Sequence, residues 1–490
     1  MTAPGPSVAE VTARFRRRWD LYPARYTFAG LGGFAVLVIG LSLLAMLLGQ
    51  RAGLLGIAAI AIVGVMALTM RWPFLPILVV LISTPLLLTD LSGGIQVVHV
   101  LGAASAVGTL WAVLLRRGAF TGSPILFGGL IFMASLMVSV LVSTSPVIAA
   151  RVALMYALAV AIGYAVLQGA HERTGAVWIM RAWMVGVVLS IAPHLEAPKP
   201  VTVELGGGVV RGRLEGVFTQ PNDLGEFCLL SLFVALALWW ASDRWFDKVL
   251  ALSGMGLASV ASVLALSRGT FIGIGVGLVV LALLVPRFWR TLLAWVVAGG
   301  TLLVVLYLTQ NPAVNVLISR LASVTEAENN PSDERGLIWQ EAIRLWSNNQ
   351  WAGVGPGGYL PSSQLGGSLV APEGAYHAHN ILLHIGAEAG IIGIIGLLTA
   401  IAIGGVYSLH LIWENAPSVL PRASNAALLA GLVGVAAHGT VDFEYANPVL
   451  ILLAWIMIGL LASGLRPPPH VHPKGSRVLT RQRAADPVAP

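Results

Sequence analysis

Long apolar runs separated by short polar segments make up most of this chain of 490 residues. A membrane-spanning helix needs about 20 apolar residues in a row, and roughly fourteen runs approach that length. The pattern predicts an all-α, polytopic membrane protein, a helix bundle with about 12–14 transmembrane helices. The runs cover residues 28–48, 52–70, 73–88, 95–115, 124–142, 146–168, 177–193, 224–241, 249–266, 269–285, 291–309, 380–412, 425–438 and 448–465.

These runs divide the chain into five predicted regions. A basic cytoplasmic tail (1–27) precedes a transmembrane bundle (28–309) that includes an outer loop (194–223). A large extracytoplasmic loop (310–379), the C-terminal transmembrane helices (380–465) and a disordered cytoplasmic tail (466–490) follow. Because the run 28–48 leads into a second span, we expect a retained helix and no cleavable signal peptide. The run 380–412 is long for one crossing, so we expect a tilted or broken helix there.

Composition excludes several classes of protein. The chain is 57% hydrophobic and 10% charged, with a mean hydropathy of +0.83, which no soluble domain of average composition approaches. A single cysteine, Cys228, excludes an intrachain disulfide and a thiolate metal cluster. The net charge is +7, but the basic residues lie in both tails and in short loops between the apolar runs. This distribution predicts that both termini are cytoplasmic, and it argues against binding to nucleic acid.

Arginines on the predicted outer side are not explained by the orientation rule. Arg211 and Arg213 precede Pro221-Asn222-Asp223. This tripeptide is typical of a helix start, because Pro fixes its own backbone angle and the side chains of Asn222 and Asp223 can cap free N–H groups. Two arginines beside a helix N-terminus would suit a phosphate group. The equally weighted alternative is a loop at the lipid headgroups with Arg213 paired to Glu215.

Arg268 lies in Ser267-Arg268-Gly269, between two apolar runs with almost no loop. An arginine so close to the hydrocarbon is costly unless it is paired or faces a wet cavity. The alternative is that its side chain extends to the outer headgroups. We expect the cavity.

The large outer loop contains an amphipathic segment and a glycine-rich turn. Arg335, Trp339, Ala342 and Trp346 fall on one face of a helix, which predicts a short helix at the outer membrane interface. Such a stripe is usually packing, and Arg335 at its edge is the functional candidate. The glycines of 353–358 match GxGxxG, but no strand precedes them, so we expect only a tight turn that lets the backbone approach its neighbours.

Histidines and a glutamate follow that turn. His377 and His379 precede a helix that begins near Asn380, whose positive end would keep an imidazole neutral and able to accept a proton. Asn380, His384 and Glu388 recur every four residues, so we expect them on one face, with Glu388 paired or protonated. The alternative for a single histidine is a helix-capping role. A metal site is less favoured, since no i, i+4 ligand pair includes His377 or His379.

His438 and Asp442 lie four residues apart at the end of the run 425–438. An imidazole–carboxylate pair there could support the site through another side chain. It could equally be a polar helix cap, and the sequence leaves the two open.

Taken together, these motifs resemble the superfamily of O-antigen ligases and Wzy-type O-antigen polymerases. The resemblance extends over about residues 211–442, and it depends on the order of the motifs more than on any one of them. The motifs are Arg213 followed by Asn222, then Ser267-Arg268-Gly269, Arg335 with Trp339, Gly353 with Gly355, and His379-Asn380 followed by Glu388 and Gly390.

The resemblance implies a helical glycosyltransferase of the GT-C type that acts at the outer face of the membrane. The donor would be a polyprenyl-pyrophosphate-linked glycan, and the acceptor a glycolipid or a second lipid-linked repeat unit. Arg213 and Arg335 would hold the pyrophosphate, with Arg268 and Arg211 as further candidates. His379 would be the base in an inverting reaction without a metal or other cofactor, with His377 as the open alternative. Asn222, Asn380, Glu388 and His377 would support the site. The motifs do not separate ligase from polymerase, although their order favours the ligase.

Two other classes of protein compete with this interpretation. A lipid or glycan transporter would show inverted repeats and polar groups near the middle of the membrane. No repeat is evident, and the polar motifs lie at one predicted face, which favours chemistry on a membrane-anchored substrate. A structural or assembly protein would tolerate replacement of Arg213, Arg335 or His379.

Overall fold

The computed structural model describes residues 75–92, 95–115, 121–170, 173–195, 213–309, 335–363, 377–442 and 447–466. Within these ranges the chain is mostly helical, with 14 α-helices. The helices are α1 (Leu75–Ile82), α2 (Val97–Leu115), α3 (Pro124–Leu141), α4 (Pro146–Gly169), α5 (Arg173–Ile191), α6 (Pro221–Ala241), α7 (Trp245–Ala265), α8 (Arg268–Leu284), α9 (Phe288–Leu308), α10 (Arg335–Asn348), α11 (Tyr359–Ser362), α12 (Ile381–Trp413), α13 (Arg422–His438) and α14 (Pro448–Gly464).

Six of these helices are long and apolar enough to cross a membrane, namely α3 to α7 and α12. Shorter apolar helices include α8, α14 and the first part of α2. This confirms the predicted polytopic, helical membrane protein. The predicted spans 28–48 and 52–70, and both tails beyond the described ranges, lie outside the residues described.

The predicted span 73–88 is wrong within the described residues. The described part of its helix, α1, ends at Ile82, six residues before the predicted end of the span. A 3₁₀ turn at Thr84–Leu86 follows, where Pro85 lacks the N–H that an α-helix would need. A small hairpin of β1 (Asp90–Ser92) and β2 (Ile95–Gln96) then leads into α2.

The bundle brings several helix ends together. Helix α13 packs between α6 and α8, α12 lies along α3, and α14 lies beside α4. The starts of α6 and α14 are joined by a hydrogen bond from Asn447 Nδ2 to Asp223 Oδ2 (2.8 Å). The start of α12 meets the end of α13 through the Ile381 N–H and the Gly439 carbonyl oxygen (2.7 Å). We call the end of the bundle that carries Asp223, Asn447, Ile381 and Gly439 the motif end. The far end is the opposite one, where α6 and α12 end.

A buried ion pair joins α5 to α7 near the far end. Arg181 donates two hydrogen bonds to Asp247, at 2.6 and 2.7 Å, and Ser242 Oγ donates a third (2.5 Å). The side chains of Arg181 and Asp247 are 11% and 0% exposed. A charge in an apolar bundle is costly unless it is paired, and here each charge compensates the other.

Helix α12 is broken at Gly390, as the length of its run predicted. Gly390 has φ 62° and ψ −161°, which interrupts the helical hydrogen bonding. The segment before α11 supplies the missing partners, because Val354 and Gly355 donate their N–H groups to the carbonyls of Ala387 and Glu388 (3.0 and 2.9 Å). In return, the N–H groups after the break, those of residues 391 and 392, donate to the carbonyls of residues 350 and 351. The glycine turn therefore replaces helical hydrogen bonds that could not be left unmade in a membrane.

We expect Gly353→Ala to lower stability by about 1–3 kcal/mol, because Gly353 has φ +66° and an added Cβ would lie 2.2 Å from the carbonyl carbon of Glu388. The measurement is thermal unfolding of the purified full-length protein in detergent. Gly336→Ala is the matched control, since it lies in α10 with nothing within 4 Å of an added Cβ. Equal melting temperatures for the two variants would contradict this account of the turn.

Candidate functional site

The carboxylate of Asp442 lies at the centre of the polar groups at the motif end. It follows the end of α13 and is only 1% exposed. Its Oδ1 is 2.6 Å from Nδ1 of His379. Its Oδ2 accepts hydrogen bonds from Arg335 Nη2 (3.1 Å) and Asn222 Nδ2 (2.5 Å). One buried carboxylate thus joins three of the residues singled out in the sequence.

Arg213 enters the same network through Asn222. Its Nη2 donates to Asn222 Oδ1 (2.5 Å), and its Nε donates to the carbonyl of Ala265 at the end of α7 (2.8 Å). The predicted helix start at Pro221 is confirmed, but the expected capping by the Asn222 side chain is wrong. Both polar atoms of the Asn222 side chain are instead engaged by Arg213 and Asp442. Neither is therefore left to cap the helix.

His379 lies in the turn immediately before α12. Its φ of +48° places it in the left-handed region, where a bulky side chain is uncommon. The next residue, Asn380, is the N-cap of α12, and its Oδ1 accepts from the N–H groups of residues 382 and 383 (both 3.0 Å). Asn380 Nδ2 also donates to the carbonyl of Thr440 (2.8 Å). The turn that carries His379 is therefore fixed to the segment that carries Asp442.

The charge state of Asp442 determines which nitrogen of His379 can act as a base. Burial alone would raise the pKa of Asp442, but the hydrogen bond with His379 and the positive charge of Arg335 outweigh it and hold the pKa below its ordinary value. The carboxylate is therefore ionised and can only accept, so Nδ1 of His379 is the donor of this hydrogen bond and Nε2 is the nitrogen left for a substrate proton. The His379 side chain is 14% exposed, so the site is not sealed from substrate.

His377 lies beside His379 but in a different environment. It is 5% exposed, and its ring centroid is 4.2 Å from that of His379. Burial and the neighbouring His379 and His384 lower the pKa of His377 to about 3, so its ring is neutral. Asp442 makes no hydrogen bond with His377. This distinguishes His377 from His379, the two histidines that the sequence offered as the base.

Glu388 is paired, as expected for a glutamate inside the bundle. Its carboxylate accepts hydrogen bonds from the N–H groups of Gly357 (2.8 Å) and Tyr359 (3.1 Å). His384 Nε2 lies 3.3 Å from Glu388 Oε2, so these two residues share a face as predicted. Asn380 was expected on the same face, and this is wrong because it caps the helix instead. Glu388 holds the glycine turn against α12.

The predicted amphipathic helix exists as α10, but its buried face differs from the expected stripe. The buried residues are Ile338, Glu341, Ala342 and Leu345, whereas Trp339 and Trp346 are only partly covered. Glu341 was not foreseen as buried, and Arg344 neutralises it with two hydrogen bonds (2.6 and 2.8 Å). Arg335 is the first described residue of this helix, and α10 packs against α12.

The other two candidate arginines are Arg211 and Arg268. Arg211 lies outside the described residues. Arg268 opens α8 after Ser267, whose hydroxyl accepts the N–H of Thr270 (3.4 Å). Its neighbour Gly269 lies against the ring of His438. Arg268 is thus beside the network, but it is not among the three donors to Asp442.

The central role of Asp442 could not be assigned from the sequence. Its i, i+4 spacing from His438 was a signal for a His–Asp pair, but His438 Nδ1 lies 3.5 Å from Glu226 Oε2 instead. Glu226, Asp223 and Asn447 form a buried polar layer beneath the site. The sequence pattern indicated Asp223 only as part of a helix start, and it indicated no role for Glu226 or Asn447.

His377, His379 and Asp442 offer one ligand atom each within 4.8 Å of one another. Three such atoms could hold a divalent metal ion. However, Arg335 donates to the same carboxylate, and its fixed positive charge opposes a second cation there. The donor set therefore fits a metal poorly.

The comparisons with known proteins bear on the part of the chain that carries these motifs. The sequence model of a family described as O-antigen ligase matches residues 253–398. This range includes Arg268, Arg335, the glycine turn, His379 and Glu388. No curated protein matches the chain significantly. Residues 253–398 are thus similar to the O-antigen ligase family, in agreement with the resemblance that the motifs carry.

Proposed function

We propose that this chain is a membrane glycosyltransferase that moves a glycan from polyprenyl pyrophosphate to a hydroxyl group of an acceptor glycolipid. The reaction would take place at the outer face of a bacterial cytoplasmic membrane, with both chain termini in the cytoplasm. The observation that carries this proposal is the network around Asp442. It holds a histidine whose Nδ1 is engaged by a buried carboxylate, together with two guanidinium groups, within one partly exposed site.

Arg213 and Arg335 are proposed to bind the pyrophosphate of the donor. Guanidinium groups donate paired hydrogen bonds to phosphate oxygens and carry a permanent positive charge. Arg213 donates to Asn222, Arg335 donates to Asp442, and Asn222 and Asp442 are hydrogen-bonded to each other. The positions of both guanidinium groups are therefore set before the donor binds. Such fixed charges stabilise the negative charge that develops on a departing pyrophosphate.

His379 is proposed to activate the acceptor. Its Nε2 takes the proton of the acceptor hydroxyl, and the hydroxyl oxygen forms a bond to the anomeric carbon of the donor sugar. The bond from that carbon to the pyrophosphate oxygen breaks, and its electron pair leaves with polyprenyl pyrophosphate. Attack opposite the leaving group inverts the anomeric configuration. Asp442 holds the imidazole by Nδ1 and stabilises the imidazolium that forms.

A Wzy-type polymerase is the alternative, and it differs only in the acceptor, which would be another lipid-linked repeat unit. Reconstituted protein with a polyprenyl-pyrophosphate oligosaccharide as the sole substrate separates the two. A ladder of products would identify a polymerase, and product only after addition of a separate glycolipid would identify a ligase. Movement of the donor between leaflets without any transfer would instead support the transporter.

We expect His379→Ala to lower the transfer rate by about 10²–10⁴-fold, because it removes the proposed base. Asp442→Asn should lower the rate through the wrong imidazole tautomer, with binding of the donor less affected. The measurement is single-turnover transfer by purified protein. His410→Ala is the matched control, since His410 is 60% exposed at the far end. Wild-type turnover in purified His379→Ala would exclude its role as base.

Arg213→Ala and Arg335→Ala should each lower the rate by about 10²–10³-fold, because each removes a group that stabilises the leaving pyrophosphate. Lysine at either position keeps the charge but cannot reproduce the forked hydrogen bonds, so we expect only partial rescue. Arg290→Ala, an exposed arginine at the far end, serves as the control. Full activity of both alanine variants with the same donor would contradict pyrophosphate binding here.

Transfer should persist in excess chelator, because Arg213 and Arg335 would supply the charge that a divalent ion gives in metal-dependent enzymes. The assay compares initial rates before and after prolonged treatment with EDTA, followed by dialysis. Loss of activity that only a divalent cation restores would overturn the metal-free mechanism and favour a metal at His377, His379 and Asp442.

A further inference from the structure

A second polar cavity lies at the far end of the bundle, away from the proposed site. It has a volume of about 550 Å³ and lies between the start of α5, the end of α6 and the start of α7. Its lining includes Arg173, Trp178, Arg181, Ser242, Asp243 and Arg244. Helix α6 begins in the network of Arg213 and ends at this cavity, so its 21 residues place the two about 31 Å apart. The cavity is therefore not part of the proposed active site.

The rim of the cavity carries two arginines whose charges are little compensated. Arg181 is fully engaged by Asp247 and is part of the wall. Arg173 donates through Nε to the carbonyl of Ala241 (2.6 Å), and its Nη2 is 4.0 Å from Asp243, which is 94% exposed. So exposed and distant a pair contributes little. Among the described residues, no direct hydrogen bond or ion pair engages the exposed side chain of Arg244, and its charge acts only at longer range on the carboxylate of Asp247.

Two helix N-termini add positive potential to the same place. Arg173 is the first described residue of α5, and α7 begins at Trp245 with Arg244 as its N-cap. No side chain caps the first N–H groups of α7. The start of a helix carries a partial positive charge and free N–H donors, and it commonly binds phosphate. The arginines, the cavity and the uncapped helix start together indicate an anionic ligand.

Aromatic residues place the cavity at the depth of the lipid headgroups. Trp178 lines it and is 44% exposed, and Trp245 beside it is 76% exposed. Lys248 Nζ lies 4.6 Å from the ring centroid of Trp239 and donates to its carbonyl oxygen. Tryptophan and basic side chains gather at the membrane–water interface, where phospholipid phosphates lie. An anion that reaches this cavity is thus most readily supplied by a lipid.

We propose that the far-end cavity is a binding site for the phosphate of an anionic phospholipid, held by Arg173, Arg244 and the start of α7. The acyl chains would lie along the exposed apolar surface of α7, which includes Phe246 and Val249. The site does not depend on the proposed glycosyl transfer. Its ligand class is defined by a single negative phosphate group at headgroup depth.

The test is binding of phosphatidylglycerol to the delipidated full-length protein, followed by native mass spectrometry and by the rise in melting temperature. Arg173→Gln with Arg244→Gln should bind phosphatidylglycerol roughly 10–30-fold more weakly, as expected for two interfacial arginines. The matched control is Arg287→Gln with Arg290→Gln, which makes the same change in charge on exposed residues near the same end. Melting without lipid checks that all variants are folded.

Tighter binding of phosphatidylglycerol than of phosphatidylcholine, lost only in the cavity variant, would support the proposal. Equal loss in both double variants would mean a general effect of surface charge and would overturn it. Binding of inorganic phosphate at the cavity, with no preference for the lipid, would make it a site for soluble anions and would also overturn it. The two double variants should retain glycosyl transfer, which keeps this test separate from that of the active site.

Discussion

A buried carboxylate can persist in a membrane protein only if its charge is compensated, and that requirement organises the motif end of this structure. Asp442 is compensated by donors from three segments that are 63, 107 and 220 residues away in sequence. Each donor is also a group that chemistry on a phosphorylated sugar would use or support. Because the buried charge of Asp442 needs these partners, it fixes the position of His379, the candidate base, relative to the guanidinium groups.

The broken helix α12 imposes the second constraint. A break in the backbone exposes carbonyl and N–H groups that need partners within the protein. The turn at residues 350–355 provides them, and Glu388 binds the N–H groups on the other side of that turn. Because α10 leads directly into this turn, the helix that carries Arg335 is held against the helix that begins beside His379. The backbone exchange and the Asp442 network therefore reinforce one another.

The sequence was informative where the physical cause is local. Hydrophobic length predicted the helices and the broken run, and i, i+4 spacing predicted that His384 and Glu388 share a face. The span at 73–88 was predicted wrongly, because hydropathy alone does not register Pro85, which lies in the 3₁₀ turn beyond the end of α1. The roles of Asn222 and Asp442 could not be predicted either. Both depend on which distant segments meet, and the residues next to them in sequence offered plausible but incorrect partners, namely a helix cap and His438.

The backbone conformation of His379 is set by tertiary contacts and not by its local preference. A histidine with φ +48° is disfavoured locally, so the surrounding contacts must hold it there. Asn380 fixes the following turn to α12 and to Thr440, while Asp442 fixes the ring itself. With Nδ1 committed to the carboxylate, the ring can rotate little and Nε2 keeps one direction. A base held in one orientation before substrate binds loses less entropy in the reaction than a mobile one. The strain in this turn is therefore consistent with a preorganised catalytic group, and a simple helix cap would not require it.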